Sequence, residues 1–479
     1  MSSRDHPSGA GSEVESFDHV IVGSGQAAST LLAALPRDET VAVIEGSAVG
    51  GTCVNTGCTP TKALVASAKM AHMARRAADY GVGVEGVAVD FAAVMERMNR
   101  IRHASRDGLV ERYESAEHIT LVRGWARFVA ARTLRVELAA GGGERTLRGE
   151  HVYLNVGARA RVPGVPGLDT VPWLDNVRLL ELEDLPEQLL VLGGSYVGLE
   201  FGQLFHRLGS RVRIVEAADQ LMGREDRDVA EAVRGLLEDE GLAVALNARV
   251  ERVEASAEGV ALVLAGEEGE RRLAGSHLLV AAGRRPNGDW LDLERAGVEV
   301  DERGYVRVDD MLRTSAEGVF ALGDMNGRGA FTHTSVNDAE IVLDLMRGGP
   351  RRLSSRSAVY AMFIDPPLGR VGLSEREALE RGHRVLRATK PFASMSRAIE
   401  LGEPEGFVKV LVDADTELFL GASVFGVRGD EIVATFALAM NAGITWRDFR
   451  TTVLPHPTIA EMMPWTLDGL ESVPSEIVA

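Results

Sequence analysis

Cys53 and Cys58 are the only thiols in a chain of 479 residues, and both lie in one stretch, GGTCVNTGCTPTK, residues 50–62. Thiols so closely spaced point to catalytic, redox or metal-binding chemistry, unless they are two ordinary buried residues. A structural zinc site draws four Cys or His ligands, and nothing nearby completes such a set. Inert buried thiols fit poorly with a sequence that places no cysteine anywhere else. Lys62 closes the same stretch. The chain holds four lysines against 48 arginines, so a lysine marks a place that wants a compact ammonium rather than any cation. The plainer alternative is a solvated helix lysine, as Lys69 is read.

These residues need a scaffold. KALVASAKMAHMARRAADYG begins directly after Thr61 and has a helical pattern, which puts both cysteines near a helix start, one to two turns apart. At i and i+5 an undistorted helix does not hold the two Cβ atoms at disulfide distance. The glycine-rich entry and Pro60 would let the first turn distort and close a bridge. A helix N-terminus also favours thiolate, so a bridge there would be comparatively reducible. That is a disadvantage in a staple and a requirement in a redox catalyst.

Two nucleotide signatures flank the stretch. Residues 18–46, DHVIVGSGQAASTLLAALPRDETVAVIEG, run from a short strand, Val20–Val22, through Gly23, Gly25 and Ala28 into a helical pattern and a strand ending at Glu45. This is the dinucleotide pattern G-x-G-x-x-G/A with an acid about 20 residues on. The first glycine makes the turn, the second admits a pyrophosphate, and Ala28 allows close helix–strand packing. Glu45 is placed to accept from a ribose 2′-hydroxyl. Residues 189–217 repeat the design with Gly193, Gly198 and Glu216, but Ser195 occupies the second glycine place. Two copies imply two dinucleotides, or one and a degenerate site. A carboxylate at Glu216 suits NADH over NADPH; Ala217 and Ala218 supply no cation, and Arg224 is the nearest one downstream.

The bulk numbers narrow the setting. A formal charge of −18 argues against nucleic acid or an anionic membrane as partner. No apolar run approaches the ~18 residues that a membrane span needs. The polar start, MSSRDHPSGAGSEVES, has no signal-peptide core and reads as a disordered tail, residues 1–16, of a cytoplasmic protein.

Together, GGTCVNTGCTPTK and the two dinucleotide units resemble the class I pyridine nucleotide-disulfide oxidoreductases, the family of dihydrolipoamide dehydrogenase, glutathione reductase and mercuric reductase. VYLNVGARARVPGVPG (152–167), AAGRRPN (281–287), TSAEGVFALGD (314–324) and GFVKVLVDADTELFLGASVFG (406–426) continue the likeness over nearly the whole chain. The resemblance implies an α/β fold with two Rossmann-like dinucleotide-binding domains and a C-terminal α+β dimerisation domain. The FAD domain would be split over 17–157 and 288–350, the NAD(P) domain would cover 158–287, and the interface domain 351–479. It implies FAD at Gly23, Gly25, Ala28, Glu45, Gly51, Thr52, Lys62, Gly157, Gly323 and Asp324. It implies NADH or NADPH at Gly193, Ser195, Gly198, Glu216 and Gly283.

By the same resemblance Cys53 and Cys58 form a redox-active disulfide, with Cys58 the thiolate beside the flavin and Cys53 the thiol that meets substrate. Lys62 would pair with Glu200 near the flavin, where a compact ammonium tunes it, and Asp324 would hold the ribityl chain or the pyrophosphate. LPHPTIAEMMP (454–464) matches the family's H-P-T-x-x-E, so His456 is the acid/base and Glu461 orients it. Imidazole suits a proton exchanged near neutral pH. This histidine would serve the partner subunit's disulfide, which implies an obligate homodimer acting on a small-molecule disulfide, or on a dithiol in reverse.

The sequence also departs from the family. Leu454 and Val156 stand where many relatives have histidine and threonine. The C-terminus lacks the second cysteine pair of mercuric reductases, although FIDPPLGRVGLSE (363–375) is phrased like that branch. Arg97, Arg100, Arg102 and Arg397 are candidate anion contacts. Other readings are a flavoprotein reducing a metal ion, quinone or oxygen with the disulfide as relay, and a flavin redox sensor. No resident metal is expected.

Overall fold

The computed structural model describes residues 13–265 and 270–474. These fall into two compact units, one built from 1–59, 100–159 and 284–356, the other from 60–99, 160–283 and 357–479. Most of the tail expected at 1–16 lies outside the described residues. Its last part does not remain a tail, because the first strand starts at Val14 and pairs in parallel with Thr146–Leu154. The strand is longer than its apolar run, Val20–Val22. Buried His19 extends it by bonding Tyr153 Oη at 2.9 Å and Glu39 at 2.7 Å.

The first unit holds a mixed sheet whose parallel part has Val14–Val22 between Val41–Glu45 and Glu144–Leu154, with Thr133–Leu138 pairing antiparallel to Glu144–Leu154 and Ile119–Ala130. Ile119–Ala130 lies outside Val41–Glu45, and Val319–Ala321 outside Glu144–Leu154. Val41–Glu45 is buried along its whole length, as a strand covered on both faces must be. The helix Gln26–Ala34 packs Ala27, Ala28 and Leu31 against Ala339, Ile341 and Val342 of the helix Thr332–Met346. Alanines there bring the two helices close.

The second unit repeats the plan as a four-stranded parallel sheet in the order His277–Val280, Gln188–Leu192, Arg211–Val215, Ala243–Ala245. The helix Tyr196–Leu208 follows its first strand. A second, antiparallel sheet holds Val359–Met362, Leu368–Gly372, Phe419–Phe425, Phe407–Asp413 and Val385–Pro391 in that order. The helix Gly429–Asn441 covers it with Ile432, Val433 and Phe436 in the core.

Charged residues are buried within this unit. Arg207, 4% exposed, bonds Glu240 and Asp365, and Lys69 reaches Asp365 at 2.7 Å. Lys69 is therefore not the solvated cation that its place on a helix suggested. Burial alone would push the Asp365 carboxyl up, but Arg207 and Lys69 outweigh it and hold it below its ordinary range. Lys69 is likewise raised against its own burial by Asp365 and Glu403.

These directions fix a pH signature. Asp365 contributes stability above its unfolded pKa, near 4, and loses it as pH falls through the lower folded value; Lys69 contributes below about 10.4 and loses it as pH rises. Asp365→Asn leaves buried Arg207 with Glu240 as its remaining carboxylate and takes a carboxylate from Lys69, and should cost about 3 kcal/mol in urea denaturation at neutral pH. That difference should shrink as pH falls below about 4. A variant within about 0.5 kcal/mol of the parent at pH 7 would show the cluster to be energetically neutral.

Candidate active site: a cysteine turn and two dinucleotide cradles

The two cysteines do not share one distorted helix. Cys53 lies in a one-turn helix, Gly51–Asn55, and Cys58 opens a separate helix, Cys58–Arg75. The break falls between the sulfurs, at Thr56 and Gly57, where a first turn distorted through the glycine-rich entry and Pro60 was expected. Proline is the third residue of the second helix, where its missing N–H removes no helical bond. The turn is stapled by Asn55, whose Nδ2 donates to Val49 O at 2.9 Å and Gly51 O at 3.0 Å. Cys53 is half-buried and Cys58 exposed, with Cys58 Sγ 3.2 Å from Thr332 Oγ1. Thr52 between the glycines and Cys53 is exposed.

This turn starts against the first nucleotide motif. Gly51 has φ +62°, and a Cβ on it would lie 2.8 Å from Gly25 Cα. Gly50 N donates to Ser24 Oγ at 3.0 Å. A Cβ on Gly23 would lie 2.4 Å from Asn155 O, while Asn155 Nδ2 donates to Gly23 O at 3.0 Å. Gly25 caps the helix Gln26–Ala34 with no side chain, leaving its first N–H groups open to an anion. The cradle therefore fits a dinucleotide pyrophosphate. Gly157 borders open space, and Gly323 N is held by Asp338 Oδ2 at 2.8 Å. Asp324 pairs with Arg284 at 2.9 Å.

Glu45 is more occupied than expected. Oε2 accepts from Ser24 N and Ser24 Oγ at 3.0 and 2.6 Å, and Oε1 from Ser47 N and Ser47 Oγ at 2.8 and 3.0 Å. A carboxylate has about four acceptor positions, so a ribose hydroxyl reaches Glu45 only by displacing a serine hydroxyl. The second copy is more open. Glu216 accepts from Gly194 N at 2.7 Å and Ala218 N at 2.9 Å, at the places equivalent to Ser24 and Ser47, and no serine hydroxyl stands there.

Ser195 caps the Tyr196–Leu208 helix without a side-chain bond and is exposed, as its motif position requires if it faces a ligand. A Cβ on Gly193 would lie 2.5 Å from Ala281 O, and one on Gly198 only 2.2 Å from Gly193 O. The alanine tolerated at position 28 has no room at position 198. Gly283 lies beside Arg161, which grips Ala282 O at 2.7 Å.

Two further pairs form. Lys62 Nζ lies 2.6 Å from Glu200 Oε2 and 4.3 Å from the centre of the Phe363 ring, and Glu200 Oε1 accepts from Phe363 N at 2.7 Å. His456 Nδ1 meets both oxygens of Glu461, at 2.9 and 3.0 Å, and the ring is 75% exposed. Engagement of Nδ1 leaves Nε2 to exchange a proton with a ligand. Thr458 N also donates to Glu461, at 3.2 Å.

Other candidates are committed elsewhere. Arg97 bonds Ala63 O at 2.9 Å, and Arg397 bonds Glu400 at 3.1 Å. Arg102 Nη1 lies 3.5 Å from Asn55 O. Sequence reasoning missed Ser24, Asn55 and Asn155, although all three sit within the quoted motifs. Arg284 and Phe363 also lie in quoted stretches but were not singled out, and Thr332 gave no signal; the roles of all three come from contacts distant in sequence.

A family model described as pyridine nucleotide-disulphide oxidoreductase matches residues 17–339, and the dimerisation domain of the same family matches 359–467. The chain is 36% identical over 453 residues to the probable pyridine nucleotide-disulfide oxidoreductase RclA of Escherichia coli (strain K12), covering 93% of this chain and 98% of that one. It is 32% identical to a mercuric reductase of Lysinibacillus sphaericus, over 93% of this chain and 81% of the other. A solved Cu(II) complex of the HOCl-induced flavoprotein disulfide reductase RclA from Escherichia coli superposes with a TM-score of 0.85 at 34% identity, covering 95% of this chain and 99% of that one.

The glycine contacts give a test of the second cradle. Gly198→Ala should weaken NADH binding by about tenfold or more, read as the concentration dependence of anaerobic cofactor reduction, because the turn must open to admit the methyl group. Ala28→Gly should leave NADH binding unchanged. Equal NADH affinity in Gly198→Ala and the parent would remove this turn from the nucleotide site.

Proposed function

The chain belongs to the pyridine nucleotide-disulphide oxidoreductases, and we propose that it passes electrons from NADH to a small-molecule disulfide through Cys53 and Cys58. It is an FAD-dependent enzyme that uses NAD(P)H and carries the family's dimerisation domain. Among the described residues no helix is long and apolar enough to cross a membrane. We place its action in the cytoplasm, where a cysteine pair serves turnover rather than stapling.

The observation that supports this reading best is the contact of Gly51 with Gly25, which starts the cysteine turn on the backbone of the first dinucleotide cradle. FAD held there would supply two-electron chemistry between the nicotinamide and a disulfide. The residues for holding it are Gly23, Gly25, Ala28, Glu45, Gly51, Thr52, Gly157, Gly323 and Asp324; Lys62, which the family resemblance also assigns to the flavin, is held by Glu200. The residues for the nicotinamide cofactor are Gly193, Ser195, Gly198, Glu216 and Gly283. Glu216 has two acceptor positions left for ribose hydroxyls, favours NADH, and would repel a 2′-phosphate.

The chemistry of the chain's own groups follows from their placement. Reduction of the Cys53–Cys58 bond yields two sulfurs and takes up protons. Cys53 as thiolate attacks one sulfur of the substrate disulfide and releases the other half. His456 of the partner subunit protonates that leaving thiol from Nε2. Glu461 fixes the ring through Nδ1 and stabilises the imidazolium. Attack of Cys58 on the mixed disulfide then releases the second thiol. Run backwards, the same groups oxidise a dithiol, and the relative potentials set the direction.

One relative supports a second substrate. The Escherichia coli protein was solved as a Cu(II) complex, so an oxidising metal ion at the cysteine pair is the alternative acceptor. Among the described residues no group of three or more His, Cys, Asp or Glu side chains is arranged to hold a resident metal. Copper here would be a substrate.

Cys53→Ser should abolish NADH-driven turnover of cystine, oxidised glutathione and lipoamide while leaving reduction of bound FAD by NADH intact. His456→Gln should lower disulfide turnover by about 10²–10⁴-fold with the same NADH half-reaction. Disulfide turnover surviving in Cys53→Ser would defeat the proposal. Cu(II) reduction that is fast in the parent and lost in Cys53→Ser, without turnover of any disulfide, would favour the metal reading.

A further inference from the structure

The antiparallel sheet of the second unit has two unlike faces. Val371, Val408, Val410, Ala422 and Val424 pack into the core beneath the helix Gly429–Asn441. Side chains alternate along a strand, so Arg370, Ser423 and Lys409 point to the opposite face. Strand pairing sets them side by side: Tyr360 pairs with Arg370, Arg370 with Ser423, and Ser423 with Lys409. Arg370, Ser423 and Lys409 are all buried, so a row of polar groups crosses the sheet out of reach of solvent. Burying charge in this way is costly unless each charge is matched.

What matches this row is one short segment, residues 225–228 of the same unit. Glu225 is buried; its Oε1 accepts from the Tyr360 hydroxyl at 2.9 Å, and its Oε2 faces Arg370 Nε at 3.3 Å. Asp226 and Asp228 reach Lys409 at 3.1 and 3.0 Å. Burial would push the Asp226 carboxyl up, but Lys409 outweighs it and holds it below its ordinary range.

The same segment ends the loop that brackets the second nucleotide cradle. At the start of that loop Glu216 accepts from Gly194 N at 2.7 Å. Further on, Met222 N donates to Gly194 O at 2.9 Å, and Glu225 N donates to Met222 O at 2.7 Å. Glu225 Oε1 also accepts from the Tyr196 hydroxyl, at 2.6 Å. Burial and the Glu225 carboxylate push the phenols of Tyr196 and Tyr360 above their ordinary range, so both stay protonated and donate. Gly194 and Tyr196 stand on either side of Ser195, so the loop grips the cradle at two neighbouring places. Met222 is buried with φ +49°, a left-handed conformation that a methionine keeps only where its surroundings enforce it.

We propose that Glu225 is a positioning residue for the nicotinamide nucleotide, holding the second cradle in its binding shape against the polar row of the sheet. The inference rests on the reading of that cradle as the NADH site. The guanidinium of Arg370 neutralises the buried carboxylate, and the two phenols on Oε1 aim it. Tyr196 carries the restraint to the start of the helix Tyr196–Leu208, whose first N–H groups are the ones offered to a pyrophosphate. Tyr360 carries it from the sheet, which thereby contributes to nucleotide affinity through Glu225. A cradle held in place before its ligand arrives loses less freedom on binding.

The test measures binding of ADP-ribose to the full-length FAD-loaded protein by calorimetry. This probe keeps the pyrophosphate and both riboses of NADH and carries no nicotinamide. Tyr196→Phe keeps the ring, removes the bond to Glu225 and should weaken binding about tenfold, the loss of roughly one hydrogen bond to a charged group. Tyr360→Phe removes the other phenol from the same oxygen and should weaken binding about threefold. Because both act through Glu225, the double variant should bind about as well as Tyr196→Phe alone. Tyr360→Phe should also raise the NADH concentration needed for half-maximal anaerobic FAD reduction while leaving the limiting rate unchanged. Val410→Ala, on the opposite face of the sheet, should lower stability to urea and leave ADP-ribose affinity within about twofold of the parent. Tyr196→Phe binding ADP-ribose as tightly as the parent would overturn the inference, and so would equal losses of affinity in Tyr360→Phe and Val410→Ala. A parent that bound no ADP-ribose would instead bring down the reading of the second cradle, and the role of Glu225 with it.

Discussion

The architecture of the first unit depends on a contact between two backbones. Gly51 and Gly25 approach so closely that a single added carbon on Gly51 would lie 2.8 Å from Gly25 Cα. Every element that matters to the cysteines leads to or from this point. Ser24 between Gly23 and Gly25 accepts from Gly50 N, and in turn donates to Glu45 at the end of the neighbouring strand. Asn55 then closes the turn onto Val49 and Gly51. A sulfur pair is thus attached to a nucleotide cradle by backbone and short polar side chains, with little freedom to drift. Precise placement is what a two-electron transfer between cofactor and disulfide requires.

The two nucleotide units show how one design is adapted. In both, the acid at the end of the second strand takes the N–H that follows the first glycine and the N–H two residues beyond itself. The bracket is therefore structural before it is a ligand contact. In the first unit two serine hydroxyls complete the carboxylate, and in the second those acceptor positions are left over. The third motif place differs for a similar local reason. Ala28 is buried without conflict, whereas a methyl group at Gly198 would meet the carbonyl oxygen of Gly193. The looser first turn and the tighter second one are not interchangeable copies.

Much of this was legible in the sequence, because turns and helix starts impose residue types locally. Gly23, Gly193 and Gly198 announce their turns, and the fold class follows from two strand–turn–helix units ending in an acid. The His456–Glu461 spacing and the Lys62–Glu200 pair were legible only through resemblance, since nothing local ties a lysine to a glutamate 138 residues away. The sequence reading expected one helix with a first turn distorted through the glycine-rich entry and Pro60; the chain instead breaks into two helices between the cysteines, and proline is accommodated in the first turn of the second. The start of the first strand was hidden by polar residues that a partner strand and a buried histidine accommodate. Lys69 and Thr332 were silent. Their partners come from the far side of the sequence, and periodicity carries no information about such meetings.

The scarcity of lysine takes on a physical meaning once its partners are known. Lys62 faces Glu200 beside an aromatic ring, and Lys69 faces Asp365 and Glu403. Lys409 is the clearest case: 4% exposed, it reaches Asp226, Asp228 and Glu375 at 3.1, 3.0 and 3.0 Å. An ammonium has three N–H groups arranged tetrahedrally, and three separate carboxylates converge on it. A planar guanidinium matches one carboxylate edge well and cannot satisfy three that approach from different directions. Where this chain meets a single carboxylate edge it uses arginine, as in the two-pronged Arg159–Asp289 and Arg145–Glu15 pairs. Where three carboxylates converge on a point, at position 409, it uses lysine, although Arg207 spans two, Glu240 and Asp365. The choice at position 62 belongs to the second class, since Glu200 and the face of Phe363 close on one nitrogen, and that geometry leaves the ammonium as a localised charge rather than a delocalised one.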